Sequence, residues 1–439
     1  MTDKKIKVGI VGFGTVGSGV AKLLLEDAQS IRAKTGLELE LAAVIDLDTE
    51  SARPVKLPSG LLSNDIDKLL SDDSIQICVE LIGGTTAAKD LQLKMLQAGK
   101  HVVTANKALL AKFGEELYSA ARKNGRCIAF EASCAGGIPI VSAIRTGLTA
   151  NKILALYGIL NGTCNYILSN MTAKNEDFAT ALTAAQQKGY AEADPTLDIN
   201  GGDSAHKLAI LAHLAFGCKV TLDDIYIEGI ENVSIDDIRY GMEMEYVLKL
   251  LAIGEKNNEG KVSLRVHPSF ISTDSPLGRV DGPFNAISIF GHAVGQTMYY
   301  GRGAGMMPTA SAVVADIIEV AIGNSEVLFN SLQATPGDSI VDSIDNLISR
   351  FYIRLMVIDK PGIFAKIGNI LAEHNISISG ILQHEGHDET NTVPVIITTH
   401  PNQQKNVTAA LEGMAGLDAV RAEPVCIRIV DIPEDKLED

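Results

Sequence analysis

The chain has 439 residues, enough at roughly 150 per domain for about three domains and a sizeable core. Hydrophobic residues make up 46% and charged residues 21%, the balance of a globular chain and not of a disordered one. Lys and Arg total 38 against 54 Asp and Glu, a net charge of −16. That sign argues against nucleic-acid or anionic-membrane partners, which need a basic face, and favours small-molecule partners. The six cysteines (Cys78, Cys127, Cys134, Cys164, Cys218 and Cys426) are scattered with no CxxC pair, so they read as reduced core residues. Residues 1–5 run straight into a strand-like segment without a signal-peptide pattern, and a cytoplasmic location is expected. The most apolar stretches, 208–215 and 310–322, are interrupted by His213, Asp316 and Glu319, so no membrane span is expected.

Residues 6–11, 39–45, 75–82, 101–104 and 127–131 are apolar runs of the kind found in strands buried on both faces. Amphipathic helical patterns lie between them at 16–26, 87–98 and 108–123. Such alternation predicts a parallel sheet wound on both sides, over residues 1–138. From 139 to 304 the texture changes. Helical patterns at 177–188, 203–216 and 234–254 mix with strand-like 153–159, 262–266 and 286–290, which predicts an α+β domain supplying the substrate site. A turn at Gly301-Arg302-Gly303-Ala304-Gly305 leads into a helix from 309 to about 322, expected to pack back on the first domain and complete it with residues 305–325. Residues 326–349, with Pro336-Gly337-Asp338, read as a linker. Segments 351–357, 363–374, 376–383, 392–400, 403–414 and 419–429 then give a βαββαβ order, the ferredoxin-like arrangement, over 350–431. The acidic tail 432–439 reads as frayed.

The clearest motif is Gly12-Phe13-Gly14-Thr15-Val16-Gly17, directly after a strand and opening a helix. Its glycines suit a tight turn, close approach of backbone N–H groups to a pyrophosphate, and close strand–helix packing. The second strand ends at Asp46, an acidic residue placed to bind an adenosine ribose and repel a 2′-phosphate. NAD is therefore easier to accommodate than NADP, although Arg53 could reach a phosphate. Lys107 follows the strand at 101–104, at the sheet edge where ligands sit in such folds; the bland alternative is a solvated lysine. The loop from Glu192 to Asp203 packs Glu192, Asp194, Asp198 and Asp203 together, and Asp203 and Lys207 share a helix face at i and i+4. An acidic loop with a surface ion pair is the alternative, against which stands the apolar helix around Lys207. The bent segment Glu131-Ala132-Ser133-Cys134-Ala135-Gly136-Gly137-Ile138-Pro139 offers free carbonyls and one carboxylate to a hard monovalent ion. His384-Glu385-Gly386-His387 lacks a third ligand and reads as a solvated turn.

Together these motifs resemble homoserine dehydrogenase in its monofunctional form with a C-terminal ACT domain. The blocks that carry the resemblance are residues 12–17, 80–84, 99–107, 131–139, 190–207 and 301–312, in that order along nearly the whole chain. The resemblance implies NAD(P)-dependent interconversion of L-homoserine and L-aspartate 4-semialdehyde, on the branch toward threonine, methionine and isoleucine. It implies that Lys107 and Lys207 are the active-site lysines, with Lys107 favoured for acid/base work and the pair stabilising the developing alkoxide. A lysine does this near neutral pH only if burial or a second cation lowers its pKa. Asp203 would position Lys207 or substrate, Glu192 would bind the substrate amino group, and Asp198 would complete the substrate-binding carboxylates. Gly303 and Gly305 would approach the nicotinamide side of the cofactor. A sodium ion would be held by the Glu131 side chain and the carbonyls of Cys134, Gly136 and Ile138. Many family members carry Arg where this chain has Ile45, which weakens the case for strict NADP use.

The last domain resembles an ACT domain, with Asp359-Lys360-Pro361-Gly362 in its first loop. The start of the following helix offers N–H groups to an amino-acid carboxylate, with Asn375 and Gln383 as side-chain partners. This implies threonine as feedback effector and a homo-oligomer, dimer or tetramer, with the middle domain also serving dimerisation. Two rivals remain. An aspartate-semialdehyde dehydrogenase would need an acyl-accepting cysteine in a cleft, for which Cys134 is poorly placed. A non-catalytic module sensing NAD and amino acids would not need the two lysines to converge.

Overall fold

A computed structural model describes residues 4–257, 259–331, 341–384 and 392–433. The tail 434–439, residues 332–340 of the expected linker, and 385–391 of the histidine turn lie outside the described residues.

The nucleotide-binding region follows the expected order closely: β1 (Lys4–Val11), α1 (Thr15–Glu26), α2 (Ala28–Thr35), β2 (Leu37–Ile45), β3 (Leu62–Ser63), α3 (Asp67–Leu70), β4 (Ile75–Glu80), α4 (Ala87–Gln97), β5 (His101–Thr104), α5 (Lys107–Lys123) and β6 (Ile128–Ala129). The six strands form one parallel sheet in the order β3-β2-β1-β4-β5-β6. This is the doubly wound dinucleotide-binding order, which reverses between β1 and β4. Burial on both faces explains why the strands read as continuous apolar runs: Val8, Ile10, Val44, Ile77, Val79, Val102 and Val103 are at most 1% exposed. The helix Met306–Ile322 packs on α1, where a Cβ on Gly19 would meet the Ala310 Cβ at 2.9 Å.

The described residues divide into two compact units. The first comprises Met1–Leu156, Asp203–Ile225 and Phe284–Ser339; the second comprises Tyr157–Gly202, Tyr226–Pro283 and Ile340–Asp439. The first thus takes in the helix Gly202–Phe216 almost entirely and the antiparallel hairpin Phe284–Gly291 with Gly295–Arg302. In the second unit the long strands Tyr246–Lys256 and Val262–Ser272 pair antiparallel over their full length.

One expectation fails. The stretch 234–254 reads as a single helix, but the helix Ile235–Glu243 stops and the strand Tyr246–Lys256 follows. Glu245 breaks the chain direction with φ of 62°, a left-handed conformation that ends a helix. The apolar run after it, Val247 to Ile253, is at most 9% exposed, and periodicity alone does not separate a buried strand from a buried helix. Likewise the strand expected at 127–131 is only Ile128–Ala129, followed by a single 3-10 turn Glu131–Ser133.

The C-terminal βαββαβ order is observed as Ile348–Ile358, Ile363–Glu373, Ile378–Gln383, Thr392–Thr399, Gln404–Ala415 and Val425–Ile429. It is not an appendage on a linker. Strand Val425–Ile429 pairs with Val262–Ser272, through Ser269 with Arg428 and Phe270 with Ile429. Asp237, fully buried, receives Arg354 Nε at 2.6 Å and the Tyr352 hydroxyl at 2.8 Å. No helix among the described residues is long and apolar enough to cross a membrane.

Candidate active site

The glycine loop at the end of β1 has a separate reason for each glycine. Gly12 takes φ of 98°, and a Cβ there would sit 2.7 Å from the Leu81 carbonyl oxygen. A Cβ on Gly17 would lie 2.0 Å from the Gly12 oxygen, so only glycine lets α1 approach the turn. Gly14 has nothing within 4 Å of its Cβ position, which leaves the approach to the helix start open. That start has neither a side-chain cap nor an acidic residue in its first turn, so its N–H groups and dipole are available to a phosphate anion. Phe13 N–H donates to Asp46 across the loop, and Asp46 also accepts the Asp48 N–H at 2.9 Å. The Arg53 guanidinium stands 3.6 Å from Asp46 and 3.2 Å from Asp48. Thr15 and Val16 open α1 itself.

A buried polar cluster fixes the neighbouring strand ends. Glu80 is 0% exposed and accepts from Thr104 Oγ1 (2.9 Å), Gln92 Nε2 (2.8 Å) and the Ile82 N–H (2.9 Å). Asn106 donates to the Gly84 carbonyl and caps α5 by accepting the Leu109 N–H. Lys107 is therefore set rigidly as the first residue of α5, where the helix dipole disfavours a cation unless a carboxylate compensates it.

Asp203 is that carboxylate. Its Oδ1 lies 3.0 Å from Lys107 Nζ and its Oδ2 accepts from Lys207 Nζ at 2.6 Å. The structure thus brings Lys107, Asp203 and Lys207 together on one carboxylate. Sequence spacing revealed the i,i+4 half of this bridge; the Lys107 half is tertiary. The Asp203 side chain is 5% exposed and that of Lys207 10%, whereas Lys107 is 35% exposed and reachable. The trio carries one net positive charge, suited to an oxyanion. His206, one helical turn from Asp203, was not singled out from sequence. Burial, reinforced by the Lys107 and Lys207 cations, lowers its pKa below the usual histidine value, so it is a neutral neighbour of the bridge.

The turn at Gly303 and Gly305 is built for glycine. A Cβ on Gly303 would fall 2.1 Å from the Asn285 amide, and Gly305 takes φ of 127° at the start of helix Met306–Ile322. The same turn packs on the 131–138 loop: the Gly137 N–H donates to the Arg302 carbonyl at 2.9 Å, and a Cβ on Gly136 would meet the Gly303 oxygen at 2.8 Å.

In that loop Glu131 is 4% exposed and accepts the Val141 and Ser142 N–H groups, each at 2.8 Å. Its own N–H donates to Asp316 at 2.8 Å. Burial raises the pKa of both carboxyls, and their proximity adds to the shift at Asp316. Two adjacent buried carboxyls beside carbonyl oxygens form a hard, negative environment that fits a monovalent cation. The Ile138 oxygen already accepts the Ile140 N–H. A raised carboxyl pKa favours the folded chain only in the protonated form. This contribution is present below the unfolded value of about 3.9 and is lost as pH rises toward the folded one. Asp316→Asn, which keeps an acceptor for the Glu131 N–H, is expected to raise Tm more near about pH 8 than near about pH 4. Equal shifts at the two pH values would contradict it.

Glu192 and Asp198 belong to the second unit. Glu192 is exposed, while Asp198 is half-buried and accepts Asn161 Nδ2 at 2.8 Å. Asn161 also caps the helix Gly162–Lys174, so the cap holds the carboxylate as well. Cys134 is 0% exposed and burial pushes its thiol up to about 12, which is no setting for an acyl-accepting thiolate. In the last domain, Gln383 pairs at the level of Val395, near the strand end that leads into the Asp359–Gly362 loop. Asn375 does not join it. It takes φ of 56° past the far end of the helix Ile363–Glu373, about 16 Å along the helix from Gly362. Among the described residues no group of three His, Cys, Asp or Glu could hold a metal ion.

Family models match all three regions. Those described as homoserine dehydrogenase and as its NAD-binding domain cover residues 139–318 and 12–131, and the ACT domain model covers 351–416. The homoserine dehydrogenase of Neisseria gonorrhoeae is 41% identical over 432 residues, covering 97% of this chain and 99% of its own. A crystal structure of a homoserine dehydrogenase from Thiobacillus denitrificans superposes with a TM-score of 0.91 at 41% identity, over 98% of this chain and 99% of its own. A hyperthermophilic archaeal homoserine dehydrogenase mutant in complex with NADPH gives a TM-score of 0.60 at 26% identity, over 72% of this chain and 98% of its own. The chain belongs to the homoserine dehydrogenase family, NAD(P)-dependent oxidoreductases, and carries a C-terminal ACT domain.

Proposed function

We propose that Lys107, Asp203 and Lys207 carry the interconversion of L-homoserine and L-aspartate 4-semialdehyde in this chain. The supporting observation is the single buried carboxylate shared by two lysines. The nicotinamide, when bound, gives or takes the hydride at the substrate carbon. In the reducing direction Lys107 Nζ donates a proton to the aldehyde oxygen as negative charge builds there; in the oxidising direction it takes the hydroxyl proton back. Its exposure lets it exchange that proton with solvent. Lys207, held by Asp203, stays charged and stabilises the alkoxide, and Asp203 keeps both ammonium groups oriented. Glu192 binds the substrate amino group, and Asp198 completes the substrate carboxylates. The cofactor lies along Gly12, Phe13, Gly14, Thr15, Val16 and Gly17, with Asp46 at the ribose, Lys107 near the nicotinamide and Gly303 and Gly305 on its far side. Glu131 and the carbonyls of Cys134, Gly136 and Ile138 would hold a sodium ion, which neutralises the buried carboxyls and stiffens the loop against the Gly303 turn. The domains run 1–138 with 305–325, 139–304 and 350–431, in a cytoplasmic homo-oligomer with threonine as effector. Oxidation of NADH and NADPH by the full chain with aspartate 4-semialdehyde tests the activity; no turnover with either cofactor would refute it.

Cofactor preference follows from β2. Asp46 presents a carboxylate where a 2′-phosphate would sit, so NAD(H) is expected to be used at least as well as NADP(H). Arg53 is the nearby cation that limits the discrimination. Ile45 is only 5% exposed, so an arginine there would have to be forced into the sheet. Asp46→Ser is the better probe, and it should move the kcat/KM ratio toward NADP(H) by about tenfold, the scale of one lost charge repulsion. A native ratio strongly favouring NADPH would overturn the assignment.

A further inference from the structure

The first unit contains a cavity of about 280 Å³ that none of the proposed catalytic residues lines. Tyr118 stands at its centre, with ring centroids 5.7 Å from Phe130, 5.7 Å from Phe329 and 6.3 Å from His213. Two guanidinium groups share this aromatic wall: Arg145 lies 5.8 Å from the Phe130 centroid and Arg122 lies 5.1 Å from that of Phe329. Among the described residues neither has an ion-pair partner within salt-bridge distance. Arg145 is half-buried, and burial draws its pKa below the usual arginine value, the mark of a cation whose charge is poorly compensated. It projects from Ala143–Gly147, one turn of π-helix, a rare conformation that recurs at functional sites.

The lining fixes the ligand's chemistry. Two uncompensated guanidinium groups call for an anion, and their planar forks suit a carboxylate. The aromatic and aliphatic walls call for a hydrocarbon body. No Asp or Glu lines the cavity among the described residues, so an α-ammonium group would find no counter-charge beside two arginines. His213 Nδ1 is engaged with the Cys218 carbonyl at 3.0 Å, and Asn151 Oδ1 accepts the Val294 N–H at 3.0 Å. We infer that this cavity binds a small monocarboxylate with an apolar body and no amino group, its carboxylate on Arg145 and Arg122 and its body against Phe130, Tyr118 and Phe329. The two helices that carry Lys107 and Lys207 in their early turns, α5 and Gly202–Phe216, both contribute walls to the cavity nearer their C-terminal ends. A ligand there touches the elements that hold the catalytic bridge without touching the bridge.

Calorimetric titration of the full chain with 3-phenylpropanoate, L-phenylalanine and inorganic phosphate tests the assignment. The first and second differ by the α-ammonium group, and the third is a bare anion. Saturable binding of 3-phenylpropanoate is expected, weakened about tenfold or more in Arg145→Gln by loss of a charge-assisted bidentate contact. L-Phenylalanine should bind about tenfold or more weakly than 3-phenylpropanoate, because its ammonium is unmatched. Arg122→Gln, at the exposed mouth, should also weaken binding and supplies the measurement if Arg145→Gln does not fold. Absence of saturable binding overturns the proposal. So do full affinity in the folded variants, equal affinity for phenylalanine, and equal affinity for phosphate.

Discussion

Lys107→Ala and Lys207→Ala are each expected to lower kcat by about 10²-fold or more, the usual scale for losing an acid/base or charge-stabilising group. The two losses should differ in kind. Without Lys107 the reacting oxygen lacks its proton donor, so the residual rate should lose the pH dependence that Lys107 imposes. Without Lys207 the alkoxide loses a fixed charge, and Asp203, only 5% exposed, keeps a single cation from the more exposed Lys107. Breaking a buried pair outright costs about 3–5 kcal/mol, but the remaining lysine moderates that here, so the variant should still fold. NADH binding, followed by its fluorescence, should survive both changes because the glycine loop is untouched. Near-normal kcat in both variants would remove the lysine bridge from the mechanism.

Threonine is expected to inhibit the full chain about 5- to 150-fold, the range given by a coupling of about 1–3 kcal/mol between two sites. Such coupling requires that threonine bind one state of the protein better than another. A structural path for it exists within the second unit. The ACT strand Val425–Ile429 extends the sheet of Val262–Ser272, and Asp237 is buried against Arg354 and Tyr352. The same contacts rule out a clean deletion of the tail. Truncation near Ser349 would strand the Asp237 carboxylate in the core, at about 3–5 kcal/mol, and expose the edge at Phe270. A point substitution is the sounder test. Gln383→Ala, at the end of the sheet near the Asp359–Gly362 loop, should shift the threonine inhibition curve to about tenfold higher concentration while leaving uninhibited activity intact. A full-length chain equally active at all threonine concentrations would confine the ACT domain to assembly.

The sequence by itself determined whatever is local in origin. Strand–helix alternation and the three glycines placed the dinucleotide fold, because buried parallel strands and a turn under a helix each leave a short-range pattern. The βαββαβ order was legible for the same reason, and so was the Asp203–Lys207 pair, since i and i+4 share a helix face. Tertiary structure alone decided three things. It brought Lys107 onto the second oxygen of Asp203, a meeting of two segments far apart in the chain that no spacing rule encodes. It made residues 246–256 a strand, because an apolar run buried on all sides carries no period and its pairing partner, Val262–Ser272, settles its conformation. It also joined the ACT domain to the neighbouring sheet through Phe270 and Ile429, and buried Asp237 against Arg354. Those pairings depend on which edges and charges the folded chain leaves unsatisfied, and that is fixed only when the whole unit has closed.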